Sequence, residues 1–162
     1  MQRLTQEVTP YLSTLPEEER IKAINELRIA IHKVSPFRDE PVDCVLWIRN
    51  DQIAPNDYNP NNVAPPEKKL LLKSIEADGF TQPIVVAQSS QDRYEIVDGF
   101  HRHELGKGKA ALKSRLHGYL PVTCLERSRH DRMAATIRHN RARGRHQIRA
   151  MSEIVRELAL LG

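Results

Sequence analysis

The sequence predicts a mixed domain of the α+β or α/β class, because stretches with strand character alternate with amphipathic helical stretches. Segments 43–49, 81–88 and 93–98 are rich in β-forming residues, and segment 67–79 has the apolar period of a helix. The chain has 162 residues, of which 40% are hydrophobic and 28% charged, as is ordinary for a globular domain. This length is sufficient for one hydrophobic core, so we expect a single core.

The composition excludes membrane-spanning and secreted classes of protein. No apolar run has the length of a membrane span, and the N-terminal stretch "MQRLTQEVTPYLSTL" lacks the continuous apolar region of a secretory signal. We therefore expect a cytoplasmic protein without a membrane partner.

The cysteines and histidines do not have the spacing of a metal or disulfide framework. Cys44 and Cys124 lie in apolar stretches without CxxC spacing, which indicates neither a zinc module nor a set of structural disulfides. His101 and His103 are two positions apart and would diverge on a helix, which argues against metal ligation by this pair.

The N-terminal part predicts an amphipathic helix. In "TLPEEERIKAINELRIAIHKV", Thr14 and Glu17 have the spacing of a capping box, and Pro16 suits the first turn of a helix. The apolar residues that recur at helical spacing are Ile21, Ile24, Leu27, Ile31 and Val34. We expect this helix to pack one face onto the domain.

The middle of the chain predicts a strand, a long loop, a helix and two further strands. The strand "DCVLWIR" is followed by "APNDYNPNNVAPPE", which is long for a mere connection and therefore hints at function. The helix "EKKLLLKSIEADG" should bury Leu71, Leu72 and Ile75, and Gly79 suits its end. The strands "TQPIVVAQ" and "RYEIVD" are separated by the polar turn "SSQD".

The stretch "DGFHRHELGKG" predicts a corner between a strand and a helix. The strand ends at Asp98, Gly99 allows a tight bend, and a short helix follows over 100–108. Anions bind readily at a helix N-terminus, and Arg102 in the first turn could fold back over the same spot. The alternative is purely structural: Asp98 caps the helix, Gly99 only turns the chain, and Arg102 lies in solvent.

The last part of the chain predicts a strand at 120–126 and helices at 130–140 and 148–161. Its charge also predicts an anionic binding partner. Residues 127–149 hold eight arginines, no lysine and one acid, so their formal charge is +7 and the rest of the chain carries −3. Arginine is favoured where phosphate or carboxylate is bound with two-pronged geometry. Candidate DNA-backbone contacts that would share one face of a continuous helix are Arg138, Arg141, Arg145 and Arg149.

Four motifs resemble, in order and spacing, the superfamily of the ParB N-terminal domain and sulfiredoxin. They are "IAPNDYNPNN", "LLLKSIEADGFTQPIVV", "YEIVDGFHRHELGKG" and "TIRHNRARGRHQIRAMSEIV". The N-terminal part further resembles the IbrB-type co-regulators, stand-alone ParB-like proteins associated with a sulfonucleotide-reductase-like partner. The resemblance implies an α+β fold in which helices flank a small mixed sheet. Residues 1–42 would form an additional helical extension packed on the domain. Residues 43–162 would form the nucleotide-binding domain, including the arginine-rich helices.

The resemblance also implies a site for ATP or CTP with Mg²⁺. The positions that match the nucleotide-binding residues of the superfamily are Gln82, Gly99, Phe100, His101, Arg102, Asn140 and Arg143. Asn59 and Pro60 match a turn at the edge of the pocket. Asn140 and Asp98 are the candidate metal ligands, because magnesium takes oxygen ligands.

Departures from the superfamily pattern limit the chemistry. Phe100 occupies the position of the catalytic cysteine of sulfiredoxins, which excludes sulfiredoxin activity through that residue. Phe100 also replaces a glutamate of partition proteins, and His139 replaces the glutamate that precedes Asn140. Both replacements weaken the case for magnesium binding and CTP hydrolysis, although Asp98 could supply a carboxylate.

Three functions follow from these observations. The first is a nucleotide-binding regulatory module with at most slow ATP or CTP hydrolysis, acting with a partner on transcription or DNA modification. The second is a phosphotransferase in which Glu95 or Asp98 serves as the base. The third is a DNA-binding protein or nuclease that uses the arginine-rich segment, although cleavage with two metals needs clustered carboxylates and this segment has only Asp131.

Overall fold

The computed structural model describes residues 2–56 and 65–126, together with Asp131 and Ala135. Its helices are α1 (Gln2–Thr14), α2 (Glu17–Val34), α3 (Pro65–Asp78), α4 (Phe100–Gly108) and α5 (Ala110–Arg115), with a 3₁₀ turn at Pro41–Asp43. Its strands are β1 (Leu46–Arg49), β2 (Ile53–Ala54), β3 (Ile84–Ser90), β4 (Arg93–Asp98) and β5 (Tyr119–Cys124). The predicted α+β class is confirmed.

The five strands form one mixed sheet in the order β1-β5-β3-β4-β2. The β1–β5 and β3–β4 pairs are antiparallel, whereas β3–β5 and β2–β4 are parallel. The strand β4 is therefore an interior strand next to one edge, and its C-terminal end carries Asp98. Mixed pairing of this kind is typical of α+β domains whose helices pack against the sheet.

The main core lies on one face of the sheet. Its buried residues are Leu46, Ile53, Ile84, Val86, Ile96, Leu120 and Val122. The helices α3, α4 and α5 meet in a second buried cluster of Ile75, Leu105 and Leu112. Gly106 of α4 lies so close to Leu120 that a Cβ atom there would clash with it. This close approach fixes the axis of α4 against the sheet and thereby the position of its first turn at the end of β4.

The predicted capping box at the start of the second helix was wrong. The helix α2 begins at Glu17 after Pro16, and no side chain caps it. Thr14 instead ends α1, where its hydroxyl donates a hydrogen bond of 2.7 Å to the carbonyl of Tyr11. The helix α1 was not predicted. It extends to Thr14, the residue that was predicted to cap α2.

The predicted apolar face of α2 is half-buried at Ile21 and Ile24 but exposed towards the C-terminal end of the helix, and polar groups of α2 hydrogen-bond to β1. Ile31 and Val34 are 65% and 82% exposed, respectively. Asn25 donates from Nδ2 to the carbonyl of Trp47 at 2.7 Å and accepts the N–H of Trp47 at 3.0 Å. Arg28 binds the carbonyl of Val45 at 2.8 Å. Since β1 is an edge strand, Asn25 occupies backbone groups that would otherwise be open to another strand.

The other sequence predictions match the structure to different degrees. The strand at 93–98 and the helix at 100–108 have the predicted bounds, and Gly79 closes α3 with a φ of 79°. The short elements β2 and α5 were missed, because two to six residues carry too little periodicity. The helices predicted at 130–140 and 148–161 lie outside the described residues, except that Asp131 and Ala135 are helical. Within the described part of the chain, no helix is long and apolar enough to cross a membrane.

Candidate functional site

The corner between β4 and α4 is built around Gly99. Gly99 is buried and has a φ of 91° and a ψ of 24°, in the left-handed region that favours glycine. A Cβ atom at this position would lie 2.9 Å from Nη2 of Arg102 and 3.3 Å from Cα of Ile84. The corner therefore needs glycine both for its backbone conformation and for the space around it.

Arg102 folds back over this corner, as the sequence predicted. Its Nη1 donates a hydrogen bond to Oε1 of Gln82, and its Nη2 lies 3.5 Å from Oδ2 of Asp98. The side chains of Arg102 and Asp98 are only 13% and 12% exposed. The structure thus brings together three of the predicted site residues, with the guanidinium held between an amide and a carboxylate.

The prediction that Asp98 caps α4 was wrong. Gly99 occupies the N-cap position, and no side chain hydrogen-bonds to the first turn. The carboxylate of Asp98 pairs instead with the guanidinium of Arg102, four residues later. Any role of Asp98 as a base or a magnesium ligand therefore competes with this ion pair.

His101 lies in the same turn and is mostly buried. Its Nδ1 is 3.6 Å from Oε2 of Glu104, which in turn is bound by Lys68 of α3. The hydrogen bond from Lys68 is the main cause that lowers the pKa of Glu104. Among the described residues, none hydrogen-bonds to the other buried ring nitrogen, Nε2. Because buried polar atoms nearly always have a partner, Nε2 has the capacity for one further hydrogen bond.

His103 and Phe100 face away from this ligand position. His103 is buried, and burial lowers the pKa of its ring, while hydrogen bonds with the backbone of Ile53 and Asn50 act in the opposite direction. Phe100 packs against the main core, and its ring meets that of His101 edge-on at 5.3 Å. The two histidines diverge, as predicted, and Phe100 contributes core packing at the position predicted to contact nucleotide.

The two candidate bases lie on opposite faces of the sheet. Successive side chains of a strand alternate between faces, so Glu95 shares a face with Val97 while Asp98 shares the other with Ile96. Val97 packs with Ala87 and Ala135, whereas Ile96 belongs to the main core. The structure therefore does not bring Glu95 to the corner.

Several predicted residues lie outside the described part of the chain. They are Asn59, Pro60, Asn140 and Arg143 of the nucleotide site, and Arg138, Arg141, Arg145 and Arg149 of the proposed DNA contact. Their roles stay predictions. In residues 2–56 and 65–126, no group of three or more His, Cys, Asp or Glu side chains could hold a metal ion. Of the two predicted metal ligands, the structure therefore describes only Asp98, and the role of Asn140 stays a prediction.

A polar cleft that sequence reasoning missed lies at the opposite end of β4. It has a volume of about 370 Å³ and is lined by Arg49, Asp51, Gln52, Asp92 and Arg93. These residues come from the β1–β2 and β3–β4 turns, which only the sheet brings together. No local sequence pattern could have indicated the cleft.

The fold and the corner define a small α+β domain in which a strand, a glycine and a helix bring an arginine back over the corner. The chain belongs to the ParB N-terminal domain family, whose profile matches residues 33–141. The predicted superfamily is thereby confirmed.

Individual relatives differ in how much of their length they share with this chain. The uncharacterized protein YbdM of Escherichia coli (strain K12) is 74% identical over 161 residues, which are 99% of this chain and 77% of that protein. A nucleoid occlusion protein of Lysinibacillus sphaericus (strain C3-41) is 38% identical over 64 residues, which are 39% of this chain but only 22% of that protein.

A solved structure shares the fold. The C-terminally truncated chromosome-partitioning protein ParB from Caulobacter crescentus, crystallised with CTP-gamma-S, has a TM-score of 0.50 and 20% identity. The match covers 62% of this chain and 54% of that one. At this identity the likeness shows a common fold.

Proposed function

We propose that the corner formed by Asp98, Gly99 and the first turn of α4 binds the phosphates of a nucleotide, ATP or CTP. The observation that carries this proposal is the buried Nε2 of His101, which has no hydrogen-bond partner among the described residues, while Nδ1 faces Glu104. His101 is the second residue of a nine-residue helix whose first N–H groups have no partner within the helix. An anion bound at this helix N-terminus would accept hydrogen bonds from these N–H groups and from Nε2 when it carries a proton.

Arg102 supports the same proposal. Its guanidinium is held by Gln82 and Asp98 beside the backbone of Gly99, so little side-chain freedom would be lost on binding. Arginine binds phosphate with two parallel hydrogen bonds, which fixes the orientation of the phosphate as well as adding affinity. Because Gly99 has no side chain, the guanidinium of Arg102 can lie directly against the backbone of the corner.

The chain would act as a regulatory module rather than as a fast enzyme. Asp98 is engaged by Arg102, and Phe100 and His139 stand where partition proteins carry acids, so a bound magnesium would receive few protein carboxylates. We expect modest help from Mg²⁺ in binding and hydrolysis well below the roughly 1 to 1,000 per second of a typical enzyme. A cytoplasmic partner protein, of the sulfonucleotide-reductase-like kind, and a role in DNA-linked regulation stay predictions from the family resemblance.

The phosphotransferase alternative ranks lower. It needs a base close to the terminal phosphate, and Glu95 lies on the opposite face of the sheet from the corner. Asp98 is then the remaining candidate, and Arg102 already pairs with it.

The experiment that tests the proposal is calorimetric titration with ATP, CTP, GTP and ADP, with and without Mg²⁺, on the unaltered protein and on Arg102→Lys. Lysine keeps a positive charge opposite Asp98 but loses the two-pronged geometry. We expect nucleotide affinity to fall tenfold or more, in line with about 1.5 to 3 kcal/mol for a charged hydrogen bond. Arg93→Lys, at the other end of β4, is the matched control and should bind normally.

Two outcomes would overturn the proposal. One is the absence of nucleotide binding by the unaltered protein. The other is an unchanged affinity in a folded Arg102→Lys variant, which would place the nucleotide elsewhere.

A further inference from the structure

Strand register brings together two cysteines that are distant in the sequence. In the antiparallel β1–β5 pair, Leu46 lies opposite Val122 and Ile48 opposite Leu120. Continued by two residues, this register places Cys44 opposite Cys124, and the extended backbone of Cys44, with a φ of −123° and a ψ of 99°, allows the continuation. Opposite residues of antiparallel strands have Cα atoms about 4.5 to 5.5 Å apart. Disulfides span Cα distances of about 4.4 to 6.8 Å.

The two side chains also point to the same face of the sheet. Because side chains alternate along a strand, Cys44 shares the face of Leu46 and Cys124 that of Val122. Both cysteines pack partly buried against the main core, and both are free thiols. Burial raises the pKa of Cys124 to about 11, and the charge of Cys44 adds to this shift. The two sulfur atoms therefore lie within electrostatic range of each other.

Backbone contacts hold both cysteines in place. The hydroxyl of Thr123 and the N–H of Cys44 both donate to the carbonyl of Pro41, which ties the 3₁₀ turn to the end of β5. On the other side, the N–H of Leu125 donates to the carbonyl of Val86 at 2.8 Å. With the backbone fixed on both sides of the pair, a bond between the sulfur atoms requires only rotation of the side chains.

We propose that Cys44 and Cys124 form a reversible intramolecular disulfide when the folded protein meets a low-molecular-weight disulfide oxidant. The thiolate of Cys44 attacks the oxidant, forming a mixed disulfide and releasing one small thiol. The thiolate of Cys124 then attacks the sulfur of Cys44 and releases the second small thiol. The protein loses two protons and two electrons, and the oxidant is reduced to two thiols. The bond joins the turn after α2 to the end of β5 and closes a loop of about 80 residues.

The test uses the folded full-length chain and oxidised glutathione at about pH 8.5, followed by alkylation and peptide mapping without reductant. We expect both thiols to disappear together, with no glutathione retained and with a peptide pair linking Cys44 to Cys124. Dithiothreitol should restore both thiols. Because the attacking species is the thiolate, the rate should rise about tenfold per pH unit below the thiol pKa. The oxidised form should also unfold at a higher urea concentration, since the bond restricts the unfolded chain.

Single substitutions provide the controls. Cys44→Ser and Cys124→Ala should each stop at a glutathione adduct or remain reduced. The linked peptide from the unaltered protein decides the question even where a variant fails to fold. Two stable glutathione adducts, or two thiols that are alkylated in the folded protein after prolonged oxidation, would overturn the proposal.

Discussion

Two arginine–aspartate pairs lie near opposite ends of β4, and only one of them is buried. At the corner, Arg102 and Asp98 are 3.5 Å apart and 13% and 12% exposed. At the cleft, Arg49 and Asp51 are 3.4 Å apart and 51% and 62% exposed. Chemistry and distance are nearly the same, so the difference between the two sites lies in their contact with water.

Burial makes each charge of an ion pair depend more strongly on its partner. A charge removed from water loses hydration and depends on its partner, whereas an exposed pair is solvated and screened by salt. Arg49 lowers the pKa of Asp51 through a hydrogen bond, but both groups remain free to exchange partners with water. Arg102 is instead fixed by Gln82 and Asp98, in the same helical turn as His101, whose buried Nε2 has no hydrogen-bond partner among the described residues. This contrast favours the corner as the binding site and the cleft as solvated surface.

The largest expected effect on the free energy of unfolding comes from replacing Arg102, and Arg49 provides the comparison. Arg102→Ala should lower the free energy of unfolding by about 3 kcal/mol, because it leaves the carboxylate of Asp98 buried without its partner. Arg49→Ala should change stability little, and any change should vanish at high salt. Urea unfolding measures both. Adding Asp98→Asn to Arg102→Ala should recover part of the loss, and equal losses for the two single variants would contradict the contrast between the two ends.

Alanine substitutions at two glycines should have a smaller effect on stability. They separate the cost of a positive φ from the cost of the close contact between Gly99 and Arg102. Gly99 and Gly79 have similar positive φ values, 91° and 79°, but a Cβ atom at Gly79 would meet no atom within 4 Å. Gly79→Ala should therefore cost about 1 kcal/mol for the left-handed conformation alone. Gly99→Ala should cost about 2 kcal/mol, because the new methyl group also displaces Arg102.

Nucleotide titration of the same two variants completes this test. Only Gly99→Ala should weaken binding. If both alanine variants lose affinity equally, the space around Gly99 has no special role.

The smallest expected effect is a dependence of the free energy of unfolding on pH. It arises from the buried ring of His103. Burial lowers the pKa of His103 from its ordinary value of 6.5, with a further contribution from the charge of Lys107. The folded state thus favours neutral His103. Stability should be complete above about pH 6.5 and should fall as the pH drops through the lowered pKa, because the unfolded state takes up the proton more readily.

The pH series compares one variant with the unaltered protein. His103→Gln should remove this slope between neutral and mildly acidic pH, whatever its effect on absolute stability. A slope that survives in His103→Gln would assign the titration to another group.

Local sequence patterns predicted the corner well. The strand ending at Asp98 and the helix beginning at Phe100 follow from a β-forming run, a glycine and a helical run that are adjacent in the chain. A tight bend at Gly99 and Arg102 folded back over it were also predicted, because both depend on residues within one turn.

Predictions that depended on distant partners were less successful. Thr14 was assigned as a cap although α1 continues to it, and the predicted apolar face of α2 leaves Ile31 and Val34 in solvent. A cap role for Asp98 was considered because the sequence does not show that Asp98 pairs with Arg102. In each case two arrangements were locally acceptable, and packing against the rest of the chain selected one.

The sequence by itself determined the α+β class, the order of the principal strands and helices, and the presence of a glycine–arginine corner at a helix N-terminus. These features depend on periodicity and spacing within about one element, where backbone geometry allows few alternatives. The tertiary structure decided which groups lie together: Asp98 with Arg102, His101 beside Glu104, and Cys44 and Cys124 against the same core cluster. Burial and strand register depend on contacts between residues far apart in the chain. Burial sets the strength of each ion pair, and register sets which residues lie near each thiol.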